Sequence, residues 1–343
     1  MKNACIWFDI MNVSQVQFLY PFVKRFQEKS QVICTTRELA ENVDFLTSLG
    51  IDFQIVGRHS GKKRIKKIMA ILLRDLRLMR SLKPFDVSIS CGSNSAFHLS
   101  KLRGKTSVSF DDNEHSLETK PFYTRLVDYI VMPKAILVEN YVDEGTIRKK
   151  IIKYDGFKED VYVADYVPDE NFLNDLPFER FITIRPEALK AYYVTKEAKT
   201  IVPELFRLFT KKRKNILYFP RYPEDWEYAE GYDNIYIPAK PLKGLDVCYF
   251  SDAVLTGSGT FGREAACLGT PAVSFFPNER LIAVDQEMVE RGWSVHSRHP
   301  EEILEYVLSS QKKQPDLARS RRVQQEVFGI LEDIFSKVRK KRM

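Results

Sequence analysis

Between residues 253 and 276 the chain reads as an apolar strand (253–256), a turn of small residues (Gly257-Ser258-Gly259-Thr260), a helix over about 261–268, a Gly269-Thr270-Pro271 stop and a second strand (272–276). A strand that reaches its neighbour through a helix can only build a parallel sheet. Small residues at the strand's carboxyl end leave backbone N–H groups facing outward, and the helix dipole adds partial positive charge there. A phosphate or diphosphate suits that site. Glu264 lies one turn further on, where a carboxylate can accept hydrogen bonds from ribose hydroxyls. The same letters satisfy Gly257-x-Gly259-x-x-Gly262, the dinucleotide fingerprint, but that pattern belongs on the first strand of a domain and several strand–helix units precede this one. A turn that merely packs helix on strand is the plainer reading.

A chain of 343 residues is long enough for two α/β domains, each with its own core. Its 44% hydrophobic and 29% charged residues are those of a globular protein, and no apolar run approaches the ~20 residues of a membrane span. A strand begins almost at once, without a signal-peptide pattern, so a cytoplasmic location is expected. The five cysteines (Cys5, Cys34, Cys91, Cys248, Cys267) are far apart and read as reduced core residues, and the five histidines are equally scattered. Neither set predicts a metal site.

Strand and helix signals alternate through the first half: strands at 4–8, 32–35, 53–56, 87–90, 106–110 and 129–132, with helices at 14–29 (Phe18, Phe22 and Phe26 on one face) and 37–49. Turn residues gather over 164–177, which reads as a linker. The alternation then restarts with strands at 181–184, 215–219, 234–237, 253–256 and 272–276, and helices near 195–210, 241–249, 260–268 and 280–291. In parallel sheets ligands gather beyond the carboxyl ends of strands. There the polar residues fall: Asp9 and Asn12 after strand one, Gly92 and Ser93 after strand four, Asp111-Asp112-Asn113-Glu114-His115 after strand five. The last group is either a solvated turn or a catalytic loop in which Glu114 and His115 form a general acid/base pair. Arg185 and Arg221 close two strands of the second half, placed either for ion pairs or for phosphate oxygens.

Residues 61–83 carry nine cations against one acid, Asp75, beside an apolar stripe at helical spacing. Such a helix covers a sheet with a wet outer face, or it contacts an anionic membrane surface, aided by the basic 337–342 tail. Nucleic-acid binding is not expected, since no helix-turn-helix, RNP or zinc motif is present.

Asp9-Ile-x-Asn12, the Ser90-x-Gly-Ser turn, Asp112-Asn-Glu-His115, Arg185-Pro, Pro220-Arg, Lys240-Pro-Leu-x-Gly-Leu-Asp246, Gly259-Thr-x-x-Arg-Glu-Ala-Ala-x-Leu-Gly-Thr-Pro-Ala-Val273 and Ala283-Val-Asp285 occur in this order. With them the chain resembles, over nearly its whole length, the archaeal and bacterial domain-of-unknown-function family number 354. That family is similar to non-hydrolysing UDP-N-acetylglucosamine 2-epimerases and GT-B glycosyltransferases. The resemblance implies two facing Rossmann-like domains with a deep interdomain cleft, metal-independent chemistry, and the nucleotide diphosphate on the C-terminal domain. Two departures stand out. Gln15 and Gln17 occupy the first loop where the family usually has histidines, and Ser93 follows Gly92 where epimerases carry an acid.

The expected domains are 1–165 and 178–320, followed by a C-terminal helix and basic tail over 321–343. The expected catalytic groups are Glu114, His115 and Asp9. The expected substrate contacts are Asn12, Gly92, Ser93, Arg185, Arg221, Gly257, Ser258, Gly259, Thr260 and Glu264. No metal or cofactor is expected besides a nucleotide-sugar substrate. The function these imply is sugar transfer from a nucleotide sugar to a glycan or lipid-linked acceptor in cell-surface polysaccharide assembly, peripheral to the inner face of the membrane. A UDP-N-acetylglucosamine 2-epimerase-like enzyme and a non-catalytic nucleotide-sugar-binding protein are the alternatives.

Overall fold

The computed structural model describes residues 4–58, 64–114, 126–137, 151–190, 194, 198–278 and 280–340. The chain divides into two compact units at Tyr162/Val163 and again at Arg321/Arg322, so that its last helix, Leu317–Lys340, ends on the first unit.

The first unit is built on a seven-stranded parallel sheet of order β3-β2-β1-β4-β5-β6-β7. Its strands are β1 (Cys5–Ile10), β2 (Gln31–Glu38), β3 (Gln54–Arg58), β4 (Val87–Ser90), β5 (Thr106–Phe110), β6 (Tyr129–Pro133) and β7 (Ile151–Tyr154). The helices described are α1 (Val13–Gln27), α2 (Ala40–Ser48), α3 (Arg64–Ser81), α4 (Asn94–Leu102) and α5 (Lys158–Val163). Every residue of β1 is buried, as a central strand covered on both faces must be. On one face Trp7 packs with Leu78, Leu82, Phe85 and Leu99. On the other the phenylalanine stripe of α1 meets Phe110, which lies 4.9 Å from Phe18 and 5.4 Å from Phe22. The last helix adds Phe328 against Phe22 and Phe335 against Phe26, each at 5.1 Å. Burying each such ring stabilises the fold by about 1.5–3 kcal/mol.

The second unit repeats the plan. Its six-stranded parallel sheet has the order β10-β9-β8-β11-β12-β13, with β8 (Ile182–Arg185), β9 (Ile216–Tyr218), β10 (Ile235–Tyr236), β11 (Ala253–Thr256), β12 (Ala272–Ser274) and β13 (Ser294–His296). The helices are α6 (Val202–Lys211), α7 (Gly244–Phe250), α8 (Gly259–Cys267), α9 (Ala283–Glu290) and α10 (Pro300–Ser309). Leu205, Phe206 and Phe209 of α6 and Ile303 of α10 fill the core with Ile184, Tyr218, Leu255 and Val273. Two open parallel α/β sheets, each with its crossovers reversing next to its first strand, make a GT-B-like architecture.

Several boundaries differ from the sequence reading. Arg37 and Glu38 extend β2, delaying the next helix to Ala40. The helix α7 starts at Gly244 rather than 241, with Pro241 outside it. The strands β7 and β13 are missing from the sequence reading. Both are short sheet edges, and Ser294-Val295-His296 offers a single apolar residue. The stretch read as a linker is held to the second unit: Tyr166 Oη donates to Asp246 Oδ1 (2.6 Å), as does the Asp169 N–H (3.1 Å).

Candidate nucleotide site and switch-point residues

In each sheet the connections diverge from one pair of neighbouring strands, and a crevice opens beyond their carboxyl ends. The pairs are β1/β4 in the first unit and β8/β11 in the second.

At the first crevice Asp9 sits inside β1, fully enclosed. Arg74, reaching in from α3, grips it with two bonds, Nη1 to Oδ2 at 2.8 Å and Nη2 to Oδ1 at 2.6 Å. Thr35 Oγ1 donates to Oδ1 at 2.6 Å and itself accepts from Trp7 Nε1 at 2.8 Å. The Ser93 hydroxyl donates to Oδ2. Burial alone would raise the Asp9 carboxyl, but the charge of Arg74 and the hydrogen bonds from Arg74, Ser93 and Thr35 hold it below the ordinary carboxylate value. A carboxylate so enclosed and so stabilised in its charged form is a poor proton acceptor. Held in this way, Asp9 ties α3, β2 and the head of α4 to the end of β1.

Ser93 is similarly occupied. It is buried, caps α4 by accepting from the Ala96 N–H (3.4 Å), and holds Asp9. Gly92 has φ 71°, the left-handed conformation that favours glycine, and its N–H donates to Ser109 Oγ at 2.9 Å. Asn12 caps α1 through Oδ1, which accepts from the Gln15 N–H (3.2 Å) and the Ser14 hydroxyl (2.8 Å). Gln15 spans the crevice: its Oε1 accepts from the Met11 N–H (2.8 Å) and its Nε2 donates to the Cys91 carbonyl (2.9 Å). An amide suits this bridge, needing one donor and one acceptor with no charge. Glu114 follows β5 and is 5% exposed, while the adjacent Asp112 pairs with Lys158 at 2.7 Å. His115 lies outside the described residues.

The second crevice gathers Arg185, Gly257, Ser258, Gly259 and Thr260. The Gly257 N–H donates to the Arg185 carbonyl at 3.0 Å. A Cβ on Gly257 would lie 2.4 Å from the Glu187 Cα, so only glycine lets the two loops pass. Beneath them the buried Glu187 accepts from Arg298 (3.0 Å), Thr200 Oγ1 (2.8 Å) and the Ile201 N–H (3.3 Å). Arg298 also donates to the Phe275 carbonyl at 2.6 Å, clamping the loops after β8 and β12 together.

Ser258 is the N-cap residue of α8, yet its hydroxyl pairs with Thr256 Oγ1 (3.0 Å), and among the described residues no side chain caps this helix. Its first N–H groups are thus presented at the crevice. Arg263, one turn in, donates to Asp285 Oδ1 (2.7 Å) and Thr260 Oγ1 (3.3 Å). A Cβ on Gly259 would come within 2.5 Å of Arg263 Nη1 and 3.0 Å of Asp285 Oδ2. Glu264 is 6% exposed, with Oε2 beside Gly244 at the start of α7. The Arg185 guanidinium stands 5.9 Å from the Phe261 ring, and Phe219 meets the same ring at 6.1 Å. Arg221 follows β9, the strand next to β8; its N–H donates to Asp225 Oδ2 (2.8 Å), and its Nε is buried with no hydrogen-bond partner among the described residues.

Sequence reasoning missed the supports of these sites: Arg74, Gln15, Glu187, Arg298 and the Arg263–Asp285 pair. Their signal was weak but present, since Glu187, Arg263 and Asp285 are charged residues inside or beside motif stretches.

Comparisons with known proteins bear on the fold and the family. An uncharacterized protein of Methanocaldococcus jannaschii is 26% identical over 330 residues, covering 90% of this chain and 92% of that protein. The UDP-GlcNAc 2-epimerase of the same organism, solved in complex with UDP-GlcNAc and UDP, superposes with a TM-score of 0.68 at 16% identity, over 96% of this chain and 99% of that one. A structure described as the glycotransferase of kitacinnamycin gives 0.61 at 12% identity, over 98% and 100%. At such identities the two solved structures establish the fold. The sequence profile of a family described as "Protein of unknown function (DUF354)" matches residues 4–338, and the chain belongs to that family.

Proposed function

We propose that this chain binds a nucleoside diphosphate sugar at the β8/β11 crevice and transfers the sugar to a hydroxyl of a glycan or lipid-linked acceptor. The observation that carries the reading is the uncapped start of α8, with the Arg185 guanidinium 5.9 Å from the ring of Phe261 in its first turn. These groups match a diphosphate, and Glu264 supplies an acceptor for ribose hydroxyls. In the transfer the bond from the sugar anomeric carbon to the phosphate oxygen breaks and one to the acceptor oxygen forms. The nucleoside diphosphate leaves with the electron pair, neutralised by N–H groups and guanidinium, and the acceptor proton passes to a base. Asp9 is unsuited to that part, so it falls to Glu114 or His115.

Epimerisation at C2 of the same donor is the second reading. It is favoured by the likeness to a UDP-GlcNAc 2-epimerase and weakened by Ser93, which stands where that reaction calls for an acid. Incubation with UDP- and GDP-sugars, with and without acceptor extract, separates the readings. Acceptor-dependent nucleotide release supports transfer, an inverted sugar supports epimerisation, and binding with neither product leaves a nucleotide-sugar-binding protein. Absence of any nucleotide binding defeats all three.

A further inference from the structure

The helix α3 is inside out for a surface helix in water. Among the described residues twelve large hydrophobics are exposed, and six of them are on α3: Ile68, Met69, Leu72, Leu73, Leu76 and Met79, each about half exposed. At ~100° per residue these six fall within an arc of roughly 140°. The opposite side of the helix holds Arg74, Asp75 and Leu78, all buried. Six apolar side chains concentrated on one face are a contiguous patch rather than scattered exposure.

Charge selects the partner. Lys66, Arg77 and Arg80 run along one border of the apolar arc, Lys83 follows the helix, and all four are exposed. The single acid, Asp75, is turned inward with Oδ2 2.8 Å from His98 Nδ1 of α4. A second copy of the same face would bring cation against cation, whereas an anionic lipid surface offers both an apolar layer and opposite charge. No helix among the described residues is long and apolar enough to cross a membrane, so α3 would lie in the interface. Its outer face is free to do so because Arg74, on the inner face, anchors it to Asp9.

We infer that α3 is a docking face for an anionic bilayer, laid flat with its apolar arc in the headgroup boundary. The inference stands apart from the nucleotide reading, since it uses no residue of the β8/β11 crevice. The test is co-sedimentation of the full chain with phosphatidylcholine vesicles and with vesicles of phosphatidylcholine and phosphatidylglycerol. Binding should be at least tenfold tighter to the anionic vesicles and weaken with salt, roughly fivefold being lost per cation removed. Leu72→Glu/Leu76→Glu should abolish binding, and Arg77→Glu/Arg80→Glu should erase the anionic preference, with circular dichroism and UDP binding unchanged. The wild-type comparison decides even if a variant misfolds: no sedimentation, or equal sedimentation with both vesicles, overturns the inference. So does a dimer in light scattering that Leu72→Glu/Leu76→Glu dissociates, which would make the occupant a second copy.

Discussion

Arg74 and Asp9 face each other across the inner side of α3 as a two-bonded pair, both side chains all but sealed from water. An ion pair at that depth is poor at adding stability but costly to halve, because either partner alone is left as an uncompensated buried charge. Arg74→Met should therefore destabilise the first unit by about 3–5 kcal/mol in denaturant unfolding. Asp9→Asn, which leaves the buried Arg74 guanidinium uncompensated, should destabilise the unit by a similar amount, and unchanged stability in it would remove the pair as a structural tie.

The same pair sets an acid limit. The folded-state value of Asp9 lies below its unfolded value of about 3.9, so the unfolded chain binds the proton more readily and stability falls as pH drops. The contribution is complete above that unfolded value and is lost as pH falls toward the folded one. Unfolding curves between pH 5 and 2 check this, and a variant lacking both partners should show a flatter profile.

His296, at the end of β13, gives a second pH dependence with its own window. Burial, then Arg298, lower its value, against opposition from a bond with Ser274 and from Asp285. The folded state therefore prefers the neutral ring. Its contribution is whole above about 6.5 and fades as pH falls through the unfolded value toward the folded one. An NMR titration should place the ring below the ordinary histidine value, and His296→Gln should remove this pH dependence.

Gly257 and Gly259 should respond differently to a methyl group. At Gly257 the clash is with backbone, so Gly257→Ala should cost about 1–3 kcal/mol of stability along with nucleotide affinity. At Gly259 the nearest atom is the tip of Arg263, which can yield only by loosening Asp285. Gly259→Ala should keep most stability and lose roughly tenfold in UDP affinity by calorimetry, about 1.4 kcal/mol. Unchanged UDP affinity in a folded Gly259→Val variant would remove the nucleotide site from α8.

Glu114→Gln and His115→Gln, made separately, should leave donor affinity nearly intact. One of them should lower turnover by ~10²–10⁴ if it takes the acceptor proton. Full activity in both variants would leave the chain with a donor site and no acid/base group.

The amino-acid sequence determined by itself what depends on near neighbours. Alternating apolar runs of strand and helix length dictated parallel sheets, the stripe of Phe18, Phe22 and Phe26 marked a buried face, and small residues between a strand and a helix marked the turn at 257–260. The tertiary structure alone decided which charges meet: Asp9 with Arg74 across 65 residues, Glu187 with Arg298 across 111, Arg263 with Asp285 across 22. It also decided that the apolar stripe of α3, which a helical wheel reads as core, points outward, because Arg74 commits the other face to Asp9. Periodicity is a local property of the chain, whereas the partner of a buried charge is chosen only when distant segments close on one another and every enclosed polar atom needs a bond.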